Sequence, residues 1–172
     1  LSESADWIAY RRNSKSDTVL HVRALDGSKE MSFSDVKEFG FARKSNILYY
    51  STDSTLCTYN PDKGSSLIFE GKGIISKVTF NETGNKIAFL HCPDKDSTNT
   101  LYSLYLAENN TSARPIADKK DNFLPAGWVI SGNGDLRFSE NSERIFFGTA
   151  PAPLQKDTTK LDENRPDVQI WK

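Results

Sequence analysis

Cysteine is scarce in this chain of 172 residues: Cys57 and Cys92 stand 35 positions apart. Two isolated thiols build no disulfide framework and match no zinc spacing, so both are expected as small, half-buried side chains. Long apolar runs are missing too. Nothing approaches the ~20 residues with which a helix spans a bilayer, and no membrane partner is expected. Charge of one sign is not in excess, since 22 basic and 23 acidic side chains leave a formal net charge of -1 with both signs scattered. No basic field exists to attract a polyanion, which argues against nucleic acid as a partner. Methionine occurs once, as Met31. The opening LSESADWIAY has neither an initiator Met nor a charged start followed by an apolar stretch, so the expectation is a chain that begins inside a longer protein or after processing.

What is present is a core-forming share of aromatics, 11%, within a modest apolar content of 37%. At this length a single domain buries roughly 70% of its unfolded surface. Strand signals dominate: short runs at 7–10, 19–25, 47–50, 67–69, 78–80, 87–90, 101–106, 145–147 and 168–171 are rich in branched or aromatic residues and bounded by turn formers. Helical periodicity is nearly missing. In LYSLYLAE, Leu101 and Leu104 have helical spacing, but alternation puts Tyr102, Leu104 and Leu106 on one face, and a strand is expected.

One cadence recurs. FNETGNKIAFLH at 80–91 and FSENSERIFFGT at 138–149 both run from Phe through polar residues to a basic residue, then Ile and an apolar stretch. Each reads as the first hairpin of a repeated unit, with Gly84 suited to a left-handed turn position. Anchor residues Phe41, Phe80 and Phe138 are 39 and 58 positions apart, and the longer gap holds the extra stretch DKKDNFLPAGWVISGNGD. A base period of about 40 is that of a four-stranded propeller blade.

The expected fold is therefore all-β, a partial β-propeller of four-stranded antiparallel blades. Its expected division is a partial blade over 1–35, blades over 36–70 and 74–117, an insertion over 118–135 and a partial blade over 136–172. Stacking buries both faces of each sheet, which predicts Phe80 and Phe89 wedged between neighbours. Open outer strands predict self-association through the propeller edges, or protection of those edges by a loop.

No constellation for chemistry emerges, and no catalytic, cofactor-binding or metal-binding residue is assigned. Ser131 in VISGNG comes nearest to a nucleophile elbow, but Val129 stands where Gly is needed, and a turn is expected. His21 and His91 lie in strands, without chelating neighbours, and read as packed residues. DKDSTN at 94–99 starts like a calcium loop, with Asp94, Asp96 and Thr98, then lacks the required Gly and Glu, Asn99 and Tyr105 standing there instead. Asn81-Glu82-Thr83 and Asn109-Asn110-Thr111 match the glycan acceptor pattern, which is common by chance. Trp7 and Trp171 read as core, whereas Trp128, on a Gly-rich loop, could cover the sheet end or face a ligand. The stretch APAPLQKDTTKLDENRP at 150–166 is long for a hairpin loop and is the best candidate for a domain contact.

Taken together, DWIAY, FEGKG with VTFNETGNKIAFLH, LYSLYL, LPAGWVISGNGDLRFSENSERIFFGTAPAP and DTTKLDENRPDVQIW resemble the N-terminal propeller region of bacterial exported serine peptidases of the prolyl oligopeptidase and dipeptidyl-peptidase group. The resemblance runs over nearly the whole chain, and its most specific part is the FFGTAPAP block with the charged stretch and DVQIW after it. It implies a parent enzyme exported to the periplasm or beyond, in which a C-terminal α/β-hydrolase domain supplies Ser, Asp and His and acts on peptide substrates. None of that machinery is expected in these residues, so the implied role here is non-catalytic gating of substrate access. A stand-alone propeller binding a protein or saccharide is the alternative.

Overall fold

A computed structural model describes residues 6–13, 18–94, 101–118, 121 and 123–153. Three sheets follow one another along the chain, each a simple up-and-down meander. The first holds β1 (Trp7–Asn13), β2 (Thr18–Ala24) and β3 (Glu30–Ser34). The second holds β4 (Glu38–Phe41), β5 (Leu48–Ser51), β6 (Thr55–Asn60) and β7 (Gly64–Glu70). The third holds β8 (Ile74–Phe80), β9 (Lys86–Cys92), β10 (Ser103–Glu108) and β11 (Arg114–Ala117). Every pairing is antiparallel, and none of the described residues is helical.

Side-chain alternation explains why these sheets stack. Successive residues of a strand point to opposite faces. On β9, Ile87 and Phe89 enter one apolar cluster, whereas Ala88 and Leu90 enter another. On β5, Tyr49 faces one cluster while Leu48 and Tyr50 face a different one. The three clusters each draw on two successive sheets. Trp7, Leu20 and Val22 of the first meet Leu48, Tyr50 and Tyr59 of the second. Tyr49, Leu56 and Ile68 of the second meet Ile87, Phe89 and Ala107 of the third. Ala88, Leu90 and Leu104 of the third meet Ile130 and Leu136 farther along. Consecutive four-stranded meanders buried on both faces by their neighbours are propeller blades, and the chain is a partial β-propeller.

Aromatic residues lock the second cluster. Phe69 of β7 sits 5.2 Å from Phe89 and 5.1 Å from Tyr105, centroid to centroid, while Phe89 stacks on Tyr105 at 5.3 Å. Phe89 is fully buried. Phe80 departs from expectation: it is only half-buried and meets Tyr49 edge-on at 5.7 Å, because it lies at the very end of β8. As the alternation of LYSLYL implies, Tyr102, Leu104 and Leu106 share the third cluster.

The stretch 118–135, expected as an insertion, contains a strand. Here β12 (Trp128–Ile130) pairs with β15 (Thr149–Pro151), and β13 (Arg137–Phe138) pairs with β14 (Ile145–Phe146). The two short ladders form one bent hairpin, joined where the Ser131 N–H donates to Gly148 O at 2.9 Å. Residues 131–136 loop out between them. The crossing is close: a Cβ on Gly134 would lie 2.5 Å from the Gly148 Cα. Three residues make too short a strand signal to read without knowing that its partner is the GTAP segment. The strand expected at 168–171 lies outside the described residues.

Replacing Phe89 with Ala should destabilise the fold by about 3–5 kcal/mol, since the blade interface cannot collapse around the void. Met31, 45% exposed, should tolerate Ala within about 0.5 kcal/mol. Urea unfolding of the two variants against the parent chain measures the contrast.

Candidate functional site

The recurring cadence builds one end of the blades. In all three hairpins the anchor Phe pairs with the residue seven positions on: Phe41 with Leu48, Phe80 with Ile87, Phe138 with Ile145. The same turn bond follows each Phe, from Ala42 N–H to Ile47 O at 2.8 Å, Asn81 N–H to Lys86 O at 3.0 Å and Ser139 N–H to Arg144 O at 2.9 Å. Gly84 adopts the expected left-handed conformation, φ 77°, and Ser142 takes the corresponding place at φ 58°. A Cβ on Gly84 would come within 2.8 Å of the Ala42 Cβ, so the neighbouring turn also demands glycine there.

These turns are bonded to one another across the blades. Lys44 donates its N–H to Glu82 O at 2.7 Å, and its ammonium pairs with the Glu82 carboxylate. That pairing holds the Glu82 carboxyl below the usual carboxylate range, the Lys44 hydrogen bond being the largest cause. On the other side, Asn81 Nδ2 reaches Ser142 Oγ at 3.1 Å, and Lys86 Nζ donates to Ser142 O at 3.2 Å. Asn81 is buried, its Oδ1 accepting from Lys86 N–H at 3.0 Å and its amide also touching Asn85 Oδ1 and Thr83 Oγ1. A small cleft of about 190 Å³ opens beside this ladder, with Arg43, Arg137, Glu82 and Glu140 on its walls and Phe80 and Phe138 below. Its charges balance in pairs, so it presents no field of one sign.

A larger cleft of about 360 Å³ lies against β12 and β15. Tyr102 forms one wall and bridges to Ile130. Gly132 lies close against it, since a Cβ there would come within 2.7 Å of the Tyr102 ring unless the ring shifted. Val129, Ile130, Ala150 and Pro151 supply apolar lining, and Ser131 and Asn133 the polar groups. Among the described residues, no carboxylate, amine or imidazole lines it.

The residues singled out from the sequence do not converge. Ser131 Oγ accepts the Asn133 N–H at 3.2 Å in a turn, as expected. His91 is buried, with Nε2 2.9 Å from Lys72 O. A carbonyl only accepts, so Nε2 carries the proton and pins the 71–73 crossover from β7 to β8. His21 stacks on Tyr10 at 5.2 Å, its Nδ1 3.5 Å from Glu30 without a hydrogen bond. His21 sits on β2 of the first sheet, His91 on β9 of the third, and Ser131 in the 131–136 loop. Asn109 and Asn110, φ 51° and 60°, form a tight hairpin turn closed by Thr111 N–H to Glu108 O, while Asn81 is buried in its network and is unsuited to carry a glycan. Trp7 is core. Trp128 begins a strand rather than standing on a loop, and is 39% exposed at the end of β12. Cys57 is half-buried and Cys92 buried, both free thiols. Asp96, Thr98, Asn99, Trp171 and residues 154–166 lie outside the described residues. What sequence reasoning missed is the bonding between turns. Its only trace was the recurrence of Asn or Ser directly after Phe.

No protein-family model matches the chain, and no curated protein matches it. Among solved structures, TolB from Acinetobacter baumannii is similar, with a TM-score of 0.45 and 15% identity over 89% of this chain. The chain spans 42% of that TolB chain.

Burial raises the pKa of Tyr49 strongly, with the Glu38 charge and the 3.1 Å hydrogen bond to Glu38 adding to it, and burial likewise raises Tyr50, Tyr59 and Tyr102. Below pH ~10, the ordinary phenol value, both folded and unfolded states keep these protons. Above it the unfolded chain releases them first, so stability should fall as pH rises from about 9 to 11. Tyr49→Phe should flatten that fall, read as urea midpoints against pH. Asn81→Ala should cost about 1–3 kcal/mol by leaving buried partners unbonded, measured at neutral pH in the same way.

Proposed function

We propose that this chain is a non-catalytic sector of the propeller of an exported serine peptidase of the prolyl oligopeptidase and dipeptidyl-peptidase group. In that role it walls off the chamber of an α/β-hydrolase domain lying outside these residues and filters the peptides that reach it. The sequence resemblance supplies the family, the exported location and the partner domain. The observation that carries the non-catalytic part is where Ser131, His21 and His91 are spent: a turn bond, an aromatic stack and a crossover bond, in three separate parts of the fold. A fold of this kind does not by itself confer activity; a site does.

One observation favours a second reading, a propeller module that binds a protein or saccharide with no hydrolase attached. Trp128 is partly exposed on β12, the strand whose Val129 and Ile130 line the larger cleft, and an aromatic beside an uncharged cleft suits stacking against a sugar or a neutral peptide.

The genomic reading frame beyond Lys172 separates the two. A Gly-x-Ser-x-Gly segment followed by Asp and then His supports the peptidase reading, whereas an unrelated domain there removes it. The 172-residue chain alone should leave a proline-containing chromogenic peptide uncleaved, while the full gene product turns it over. Turnover by the chain alone would sink the non-catalytic assignment.

A further inference from the structure

The loop at 131–136 holds the one Asn-Gly step of the sequence, Asn133-Gly134. Asparagine is chemically labile, and most so before glycine, because its side-chain carbonyl carbon lies a single ring closure from the next backbone nitrogen. Glycine sets no Cβ beside that nitrogen and reaches backbone angles closed to other residues. In a folded chain the reaction has two further requirements. The side-chain amide must be free of bonds that hold it in place, and the nitrogen must not be spent on an acceptor.

Both conditions are met here among the described residues. Asn133 is exposed, and its side chain bonds no described residue; only its backbone N–H is used, donating to Ser131 Oγ at 3.2 Å. The Gly134 N–H has no described acceptor either. Gly148, packed against it, has no side chain to cover the nitrogen, and a Cβ there would lie 3.1 Å away. Two comparable steps are tied down. At Asp26-Gly27 the Gly27 N–H donates to Ala24 O at 3.0 Å, and Asp26 Oδ1 accepts the Ser28 N–H at 2.8 Å. At Asn141-Ser142 the Ser142 N–H donates to Ser139 O at 2.8 Å, while the Asn141 amide bonds Ser139 Oγ and Glu143 at 2.7 Å each.

We propose that Asn133 is a site of spontaneous deamidation, which places a carboxylate on the wall of the larger cleft. Gly134 N loses its proton to solvent and attacks Asn133 Cγ. A C–N bond closes a cyclic imide, and the side-chain nitrogen takes up a proton and leaves as ammonia. Water then opens the imide at either carbonyl, giving an aspartyl residue or its isoaspartyl isomer, and nothing is oxidised or reduced. Asn133 lines the cleft against β12 and β15, where no described residue supplies a carboxylate, amine or imidazole. Either product therefore brings an anion to it. The isoaspartyl product also lengthens the loop backbone beside the close approach of Gly134 to Gly148. The inference rests on neither reading of the function.

The folded 172-residue chain, incubated in mildly alkaline buffer, digested and analysed by mass spectrometry with electron-transfer fragmentation, reports the reaction residue by residue. Asn133 should lose its amide first, giving a mixture of aspartyl and isoaspartyl products, while Asn141 keeps its amide and Asp26 does not isomerise. Isoelectric focusing should show a more acidic band that grows in step with the loss. Asn133→Gln should not form that band, since its longer side chain closes the ring far more slowly. Retention of the Asn133 amide in the folded chain overturns the proposal, whether urea-unfolded chain loses it, which would mean that the fold shields the step, or keeps it as well. Conversion of Asn141 at the pace of Asn133 overturns it too, because the bonds that distinguish the two steps would then not matter.

Discussion

Everything in this molecule depends on covering both faces of each sheet. A half-buried antiparallel sheet needs only one apolar face, but β5 and β9 send large side chains in both directions. Neither face of such a sheet tolerates water, and the partner that fits is another sheet of the same pleat and twist. The rings of Phe69, Phe89 and Tyr105 make the joint specific, since their contacts are edge-on or stacked and not merely close. Each fully buried side chain of this size contributes about 1.5–3 kcal/mol relative to exposure. The blades therefore stabilise one another and have little independent stability.

Polar groups then fix how the stacked sheets are aligned. At one end the three equivalent turns are joined by Lys44 with Glu82 and by Asn81 and Lys86 with Ser142. Elsewhere Thr58 Oγ1 donates to Asn110 at 3.1 Å, and Ala113 N–H to Ile68 O at 2.8 Å, again from one sheet to the next. Apolar packing alone would permit sheets to slide; directional bonds at separate points do not. Close backbone approach at Gly134 and Gly148, and the Gly73 position where a Cβ would lie 2.0 Å from Cys92 O, add places where only glycine fits.

Such a scaffold consumes its polar side chains in construction. His91 holds a crossover, Asn81 holds two turns, and Glu82 beside the turn-side cleft pairs with Lys44. Among the described residues, the larger cleft against β12 and β15 is lined by Tyr102, short polar side chains and apolar ones.

The repeat of Phe, polar turn and Ile was legible in the residues themselves, because strand alternation and turn chemistry are local rules. They identified the blade hairpins at 41–48, 80–87 and 138–145, the left-handed Gly84 and the core role of Phe89. The sequence could likewise exclude a nucleophile elbow at Ser131 from its immediate neighbours. It could not locate β12, whose three residues become a strand only by meeting Thr149–Pro151 across a bent hairpin. Nor could it rank Phe80 below Phe89 in burial, or foresee that Asn81 would bond a turn 61 positions away. Local pattern determines which segments extend and which faces are apolar; only the stacking of one sheet on the next decides which residues meet, since those contacts join parts of the chain that no nearby residue encodes.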